Sequence, residues 1–403
     1  MTPWLTIVGI GEDGWEGLSA KARIAVEHAK NIIGSTRTLA MLPAMKAAQH
    51  EWPQPFSAVI DQVTPMRGQP TVMLATGDPM NYGAARKILT FIPKTEVTII
   101  PHLSAFSLAA ARMGWSIPDC DCDCFTIHGR PAANLEAFIQ PDARLLVLTE
   151  DETSIAEACR RLVRRGFETS EVAVLENLGG TSEAVTTFPA NKMPARDWSP
   201  LNTLAVHCKA GPSAKIRSRI AGLPDDAFVH DGQITKREVR AATLAALAPA
   251  PDQLLWDIGA GCGSVAIEWM RSTRGCEAIA VEQDDGRRKM IAANADQLGA
   301  PRIKIIAGEA PDALKGLPRP HAVFIGGGVG VPGVFETAWQ ALRPGGRLVA
   351  NVVSIEGEMH LYDLQEKYGG ELVRIAISRL EAVGKYRALK PKMPVVQWRV
   401  TKP

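Results

Sequence analysis

An apolar run from Leu254 to Ile258 ends in Gly259-Ala260-Gly261-Cys262-Gly263, and a second run from Ala278 to Val281 ends in Glu282. No other feature of the sequence constrains the fold as much. Alternating glycines let a chain turn sharply and let a ligand approach the main chain closely. The device belongs where a parallel strand passes into a helix, and an acidic residue closing the next strand sits on the same edge of the sheet. Glu282 stands 21 residues beyond Gly261. The surroundings agree with a doubly wound parallel sheet. Ser264–Met270, Arg287–Leu298 and Val334–Leu342 read as helices, and Ile303–Ala307, Ala322–Ile325 and Arg347–Asn351 as strands. Ahead of them, Thr235–Leu247 predicts a helix with Thr235 as N-cap and Glu238 three residues later as its capping-box partner.

The glycine spacing narrows the ligand. A dinucleotide site prefers Gly-x-Gly-x-x-Gly, which sets a pyrophosphate on a helix N-terminus. Here the order is Gly-x-Gly-x-Gly preceded by Asp257. A carboxylate at that place suits a cationic, amino-acid-bearing cofactor better than a phosphate, which points to S-adenosylmethionine (SAM) rather than NAD. A bare glycine turn would need no ligand at all, but the strand context and Glu282 favour a cofactor. The candidate contacts are Asp257, Gly259, Ala260, Gly261, Cys262, Gly263 and Glu282.

The 403 residues exceed what one hydrophobic core usually organises. The first half alternates in the same α/β manner. Leu5–Gly11 is a strand running into Gly-Ile-Gly, which is not the pattern of a signal peptide. Further strands are expected at Lys30–Gly34, Thr71–Ala75, Val97–Ile100, Leu145–Thr149, Val172–Glu176 and Thr203–His207, with helices at Ser19–His28, Ser104–Met113 and Thr153–Gly166. Thr76-Gly77-Asp78-Pro79 closes a strand with a rigid turn able to present backbone groups to a ligand. Between Lys209 and Gln233 glycine, proline and charge dominate. We therefore expect one domain over residues 1–210, a linker over 211–224 and a second domain over 225–403, both of ordinary size.

A net charge of +2 gives no electrostatic reason to expect nucleic acid or a membrane surface as a partner. No apolar run approaches the ~18 residues that span a bilayer. Seven cysteines without a paired framework fit a reducing cytoplasm. Cys120, Cys122 and Cys124 alternate with aspartates, a spacing that places neighbouring sulfurs ~6.5 Å apart on one face, too far for one tetrahedral ion, so no metal is expected. Arg160, Arg161, Arg164 and Arg165 share one helical stretch and read as a solvent face.

These motifs resemble known families. Asp257 to Gly263 with Val281-Glu282, His321–Gly328 and Leu342-Arg343-Pro344-Gly345-Gly346 resembles class I SAM-dependent methyltransferases. Phe228 through Arg240 and Gly308 through Leu314 look like the precorrin decarboxylating methyltransferase family, which implies SAM contacts from Thr235, Gly259 to Gly263, Glu282 and Ala310. Leu5–Gly11, Gly77-Asp78-Pro79 with Tyr82-Gly83, Pro101 to Ala111, and Glu176 to Gly179 with Glu183 resemble the tetrapyrrole methylase family. That likeness implies a class III methylase fold in the first half and cofactor contacts from Gly9, Gly77, Asp78, Pro79 and Ser104. Two positions depart from its pattern: Glu12 stands where the family usually has proline, and His102 where it usually has glycine. His102 is placed to crowd the cofactor or touch substrate, and His128, in His128-Gly129-Arg130, serves either loop architecture or substrate contact.

A fusion of these two families implies two SAM sites and one tetrapyrrole substrate. Its reaction would be methylation of carbons 5 and 15 of a reduced precorrin with loss of carbon dioxide from the carbon-12 acetate, within cobalamin synthesis. Lys236, Arg237, Arg379 and Lys385 are candidate anchors for the substrate's carboxylates. The family also suggests a homo-oligomer. Two other readings are a methylase fused to an NAD-dependent dehydrogenase, and a two-domain methyltransferase acting on RNA; the glycine spacing speaks against the first and the lack of a basic stripe against the second.

Overall fold

The computed structural model describes residues 3–118 and 122–403, so Cys120 and its flanking aspartates lie outside the described residues. The chain divides into two compact units. The first comprises residues 1–132 and 140–215, and the second residues 133–139 and 216–403.

The first unit holds two five-stranded sheets. One is built from β1 (Leu5–Ile10), β2 (Asn31–Gly34), β3 (Ala48–Glu51), β4 (Thr71–Thr76) and β5 (Val97–Ile100), in the order β3-β2-β4-β1-β5. All its pairings are parallel. Leu5 and Ile7 of β1 enter one apolar cluster and Val8 and Ile10 another, so both faces are covered. This is why the strand reads as a continuous apolar run. The other sheet is built from β6 (Cys122–Thr126), β7 (Arg144–Leu148), β8 (Glu171–Glu176), β9 (Ala184–Pro189) and β10 (Asn202–His207), in the order β6-β7-β10-β8-β9. Only its β6–β7 pairing is parallel. Cys122 and Cys124 pack on an apolar cluster with Phe106 and Leu146.

The second unit is organised on β11 (Leu254–Ile258), β12 (Glu277–Glu282), β13 (Lys304–Ala307), β14 (Ala322–Ile325), β15 (Arg347–Val352), β16 (Glu371–Ile375) and β19 (Val395–Thr401). Their order is β13-β12-β11-β14-β15-β19-β16. The first five run parallel, and β19 lies antiparallel to both its neighbours. Alternate residues of β11 face opposite layers: Trp256 and Ile258 meet Phe335 and Trp398, while Leu255 meets Trp269 and Phe324. A separate ribbon is formed by β17 (Ser378–Val383) and β18 (Tyr386–Pro391). The strand order reverses between β11 and β14, and the crevice outside their carboxyl ends is where an open α/β sheet takes its ligand.

The strands and helices expected from the apolar pattern appear within about three residues of their expected bounds. Two expectations need correction. The helix expected from Thr235 spans Arg237–Leu247, with Lys236 at the N-cap and no side-chain cap bond. Thr235 therefore caps nothing, and the Glu238 carboxylate is drawn to Arg379 at 2.6 Å. The arginine group is not one solvent face either. Arg160 and Arg164 are exposed, but Arg161 and Arg165 are buried. Arg161 pairs with Glu157 at 2.6 Å, and Arg165 donates to the Lys215 carbonyl at 2.9 Å. Sequence patterning also passed over everything after Asn351: the Ile355–Tyr368 helix, the ribbon, and β16 and β19. Residues 216–224 lie in the second unit, where Leu223 is buried. Among the described residues no helix is long and apolar enough to cross a membrane.

Candidate functional site

In the second unit the site begins with a buried ionic anchor. Arg240 is 0% exposed and its side chain binds four groups: Glu268 Oε1 at 2.7 Å, Asp225 Oδ1 at 3.2 Å, the Thr235 carbonyl at 2.5 Å and the Leu223 carbonyl. Glu268 in turn accepts from the backbone of Gly222 and Leu223 at 2.6 and 3.0 Å. A buried charge is tolerable only when paired and hydrogen-bonded in this way. The network ties residues 222–240 to the Ser264–Ser272 helix and so positions Thr235 and Lys236 at the sheet's carboxyl edge.

The glycine loop follows β11. Gly259 has φ +70°, and a Cβ there would lie 3.3 Å from the Gly327 nitrogen, so the loops after β11 and β14 approach backbone to backbone. Glu282, buried at the end of β12, accepts from the Gly261 nitrogen at 2.8 Å and from the Asp284 nitrogen at 3.0 Å. Asp257 lies beneath the loop. One of its oxygens accepts from the Ala266 nitrogen at 3.0 Å, and the other is buried with no partner. Burial, reinforced by the charge of Glu282, pushes this carboxyl up to about 7.

These elements enclose a cavity of about 750 Å³. Thr235, Gly259, Ala260, Gly261, Cys262, Glu282 and Ala310 all line it, as do Lys236 and Arg379. Asp257 and Gly263 sit behind the lining, Gly263 at the head of the following helix. Lys385, at the exposed turn of the ribbon over the Tyr386 ring, is not part of the lining. Part of the wall comes from residues with no motif of their own, among them Val331, Asn351, Val353, Ile377, Lys392 and Met393. Of the four cations in the lining, Arg379 is held by Glu238 and Asp225, Arg287 by Asp231, and Lys392 by Glu381. Lys236 bonds only the Gly232 carbonyl, at 3.3 Å, and pairs with no carboxylate among the described residues.

In the first unit three loops meet. A Cβ at Gly9 would lie 2.1 Å from the Gly77 carbonyl and 2.5 Å from the His102 nitrogen, so no side chain fits between the ends of β1, β4 and β5. Asp78 accepts from the Met80 nitrogen at 2.9 Å, fixing the turn that carries Pro79. Ser104 caps the Ala105–Met113 helix through the Ser107 nitrogen at 3.1 Å. His102 turns its ring toward the first glycine loop, with Nε2 at 3.3 Å from the Gly17 carbonyl and 3.4 Å from Asp13. Glu12 is paired with Arg37. His128 is exposed, 3.7 Å from Glu150, and no hydrogen bond or ion pair among the described residues joins it to these loops.

Fold and sites together define two methyltransferase-like α/β domains in tandem. The family signature described as tetrapyrrole (corrin/porphyrin) methylases matches residues 4–194, and that of the precorrin methyltransferase domain matches residues 226–402. A Sinorhizobium protein named precorrin-6Y C(5,15)-methyltransferase (decarboxylating) is 42% identical over 100% of this chain and 97% of its own. A Mycobacterium tuberculosis protein of the same name is 38% identical over 99% of this chain and 100% of its own. A crystal structure of the C-terminal domain of such an enzyme from Rhodobacter capsulatus is 45% identical, covering 46% of this chain and all of that one, with a TM-score of 0.44. The chain belongs to the family of decarboxylating precorrin-6Y C(5,15)-methyltransferases.

Proposed function

We propose that the chain methylates carbons 5 and 15 of a reduced precorrin of the precorrin-6B type and removes carbon dioxide from its carbon-12 acetate, giving precorrin-8x. The observation that carries this reading is the cavity at the strand-order reversal, walled by the Gly259–Gly263 loop and Glu282. We assign the second unit, as a class I domain, to decarboxylation and carbon 15. The first, as a class III tetrapyrrole methylase, is assigned to the later methylation, at carbon 5.

The residues present fit SAM in the second unit. Gly259 and Gly261 leave the wall open to close approach, and Glu282 offers a carboxylate at the strand end for ribose hydroxyls. Thr235 and Ala310 flank them. A second SAM site is assigned to Gly9, Gly77, Asp78, Pro79 and Ser104, where the three loops converge. SAM supplies an electrophilic methyl on a sulfonium, so the protein's task is to orient a carbon nucleophile and exclude water. In the second unit Val331, Val353, Ile377 and Met393 give the cavity an apolar border for a bound substrate to cover, and Lys236 is free to hold a substrate carboxylate. Arg379 holds the cavity wall through Glu238 and Asp225. On decarboxylation the electron pair released with carbon dioxide passes into the conjugated macrocycle, which serves as the electron sink. We place the reaction in the cytoplasm and expect the chain to self-associate, with no nucleic acid or membrane as partner.

Mass spectrometry of the product from reduced precorrin-6, SAM and the whole chain tests this. Gain of two methyls with loss of one carbon dioxide is the expected result, and Gly261→Arg should abolish the decarboxylation and one methyl. No mass change while both units bind SAM would refute the substrate. Binding of NAD in place of SAM would instead favour the dehydrogenase alternative.

A further inference from the structure

Beside the loops that meet at Gly77, the first unit holds a strained aromatic residue that none of the bonds around the glycine turns uses. Tyr82 has φ +58°, a left-handed conformation that bulky side chains rarely adopt and that concentrates at functional sites. Its position is over-determined: the hydroxyl donates to the Cys124 carbonyl at 3.3 Å, and the ring meets Phe106 edge-on at 5.9 Å. Even so, Tyr82 is 44% exposed. The guanidinium of Arg130 lies 5.3 Å from the ring centroid. Arg130 is exposed and pairs with no carboxylate among the described residues. Met80 and Leu103, on the two loops that abut Gly77, are exposed as well, at 51% and 57%.

We propose that Tyr82 and Arg130 form the substrate platform of the first unit, the ring bearing the conjugated face of a tetrapyrrole and the guanidinium holding one of its peripheral carboxylates. An aromatic face, a planar cation with free donors and an apolar border match a flat π-system edged with carboxylates. A hydrophobic ligand without acids would leave Arg130 desolvated and unpaired, and a small anion would have no use for the ring. The proposal rests on the reading that this unit methylates a reduced tetrapyrrole, and it makes these two residues substrate contacts.

The test uses the full chain, whose second unit serves as an internal reference. Arg130→Ala, Arg130→Lys and Tyr82→Asn are compared with wild type, asparagine being a residue that tolerates the left-handed backbone while removing the ring. Product masses from reduced precorrin-6 and SAM are followed against tetrapyrrole concentration. Arg130→Ala and Tyr82→Asn should raise the KM of the second methylation about tenfold, the loss expected for one charge-assisted or stacking contact, with kcat changed less than about twofold. Arg130→Lys should fall between, since it keeps the charge and loses the planar fork. Carbon dioxide release, the first methylation and the KM for SAM should not move. Should Tyr82→Asn fail to fold, exposed Arg130 still decides the matter. Wild-type KM values in the Arg130 variants overturn the pair alone, whereas a wild-type chain that adds no second methyl overturns the proposal together with the reading beneath it.

Discussion

Replacing Arg240 with methionine tests whether the buried ionic anchor holds the wall of the second unit's cavity. Methionine fills much of the arginine stem but supplies none of its donors. Glu268, 3% exposed, would keep only the Gly222 and Leu223 nitrogens at 2.6 and 3.0 Å, while the carbonyls of Leu223 and Thr235 would lose their partner. Asp225 keeps Arg379 at 3.3 Å. Breaking a buried pair from one side costs about 3–5 kcal/mol, because an uncompensated charge is left inside. For a domain of this size each kcal/mol lowers the melting temperature by about 2–4 °C, so the loss should be roughly 6–20 °C. Residual carbon dioxide release after a fixed heating step reads the second unit alone, and the second methylation in the same samples reads the first. The double variant Arg240→Met with Glu268→Gln removes the stranded charge but turns an amide nitrogen toward the Gly222 or Leu223 nitrogen, so it should recover part of the loss. A single variant that loses less than about 3 °C, or a double variant no more stable than the single, would refute the account: the cost would then lie in packing and not in charge.

Three further outcomes are expected. Burial pushes Asp257 up to about 7 from the usual 3.8, so the folded chain binds a proton that the unfolded chain releases. Its contribution to stability is full below pH 3.8, declines as pH rises and levels off above about 7, so Asp257→Asn should gain on wild type across that window in heat-inactivation assays; a constant margin there would contradict the assignment. Glu282→Gln keeps one of the two acceptors now used by Gly261 and Asp284 and offers the ribose hydroxyls no charged acceptor; one charge-assisted bond to SAM lost, about 1.5–3 kcal/mol, should raise the KM for SAM in the first methylation roughly 10- to 150-fold. Gly9→Ala places a methyl 2.1 Å from the Gly77 carbonyl, and product masses should show one methyl fewer with decarboxylation intact.

Much of the molecule was legible in the sequence because parallel strands covered on both faces are written as apolar runs. β1 and β11 run into glycines, and Gly259–Gly263 and Glu282 fall together because consecutive parallel strands bring their carboxyl ends to one edge. Tertiary structure alone decided what touches what over distance. Arg379 reaches the cavity from the ribbon itself, and Lys392 and Met393 from just beyond it, after a further helix and β16, and no local spacing links them to the glycine loop. The capping box at Thr235 has the right local chemistry, yet Glu238 meets Arg379, 141 residues away in sequence, and the helix starts at Arg237. Arg161 and Arg165 look like surface charges until Glu157 and the Lys215 carbonyl are found beside them. Periodicity records which side of an element is apolar. It does not record which distant carboxylate or carbonyl will satisfy a charge, and that pairing determines whether the charge can be buried.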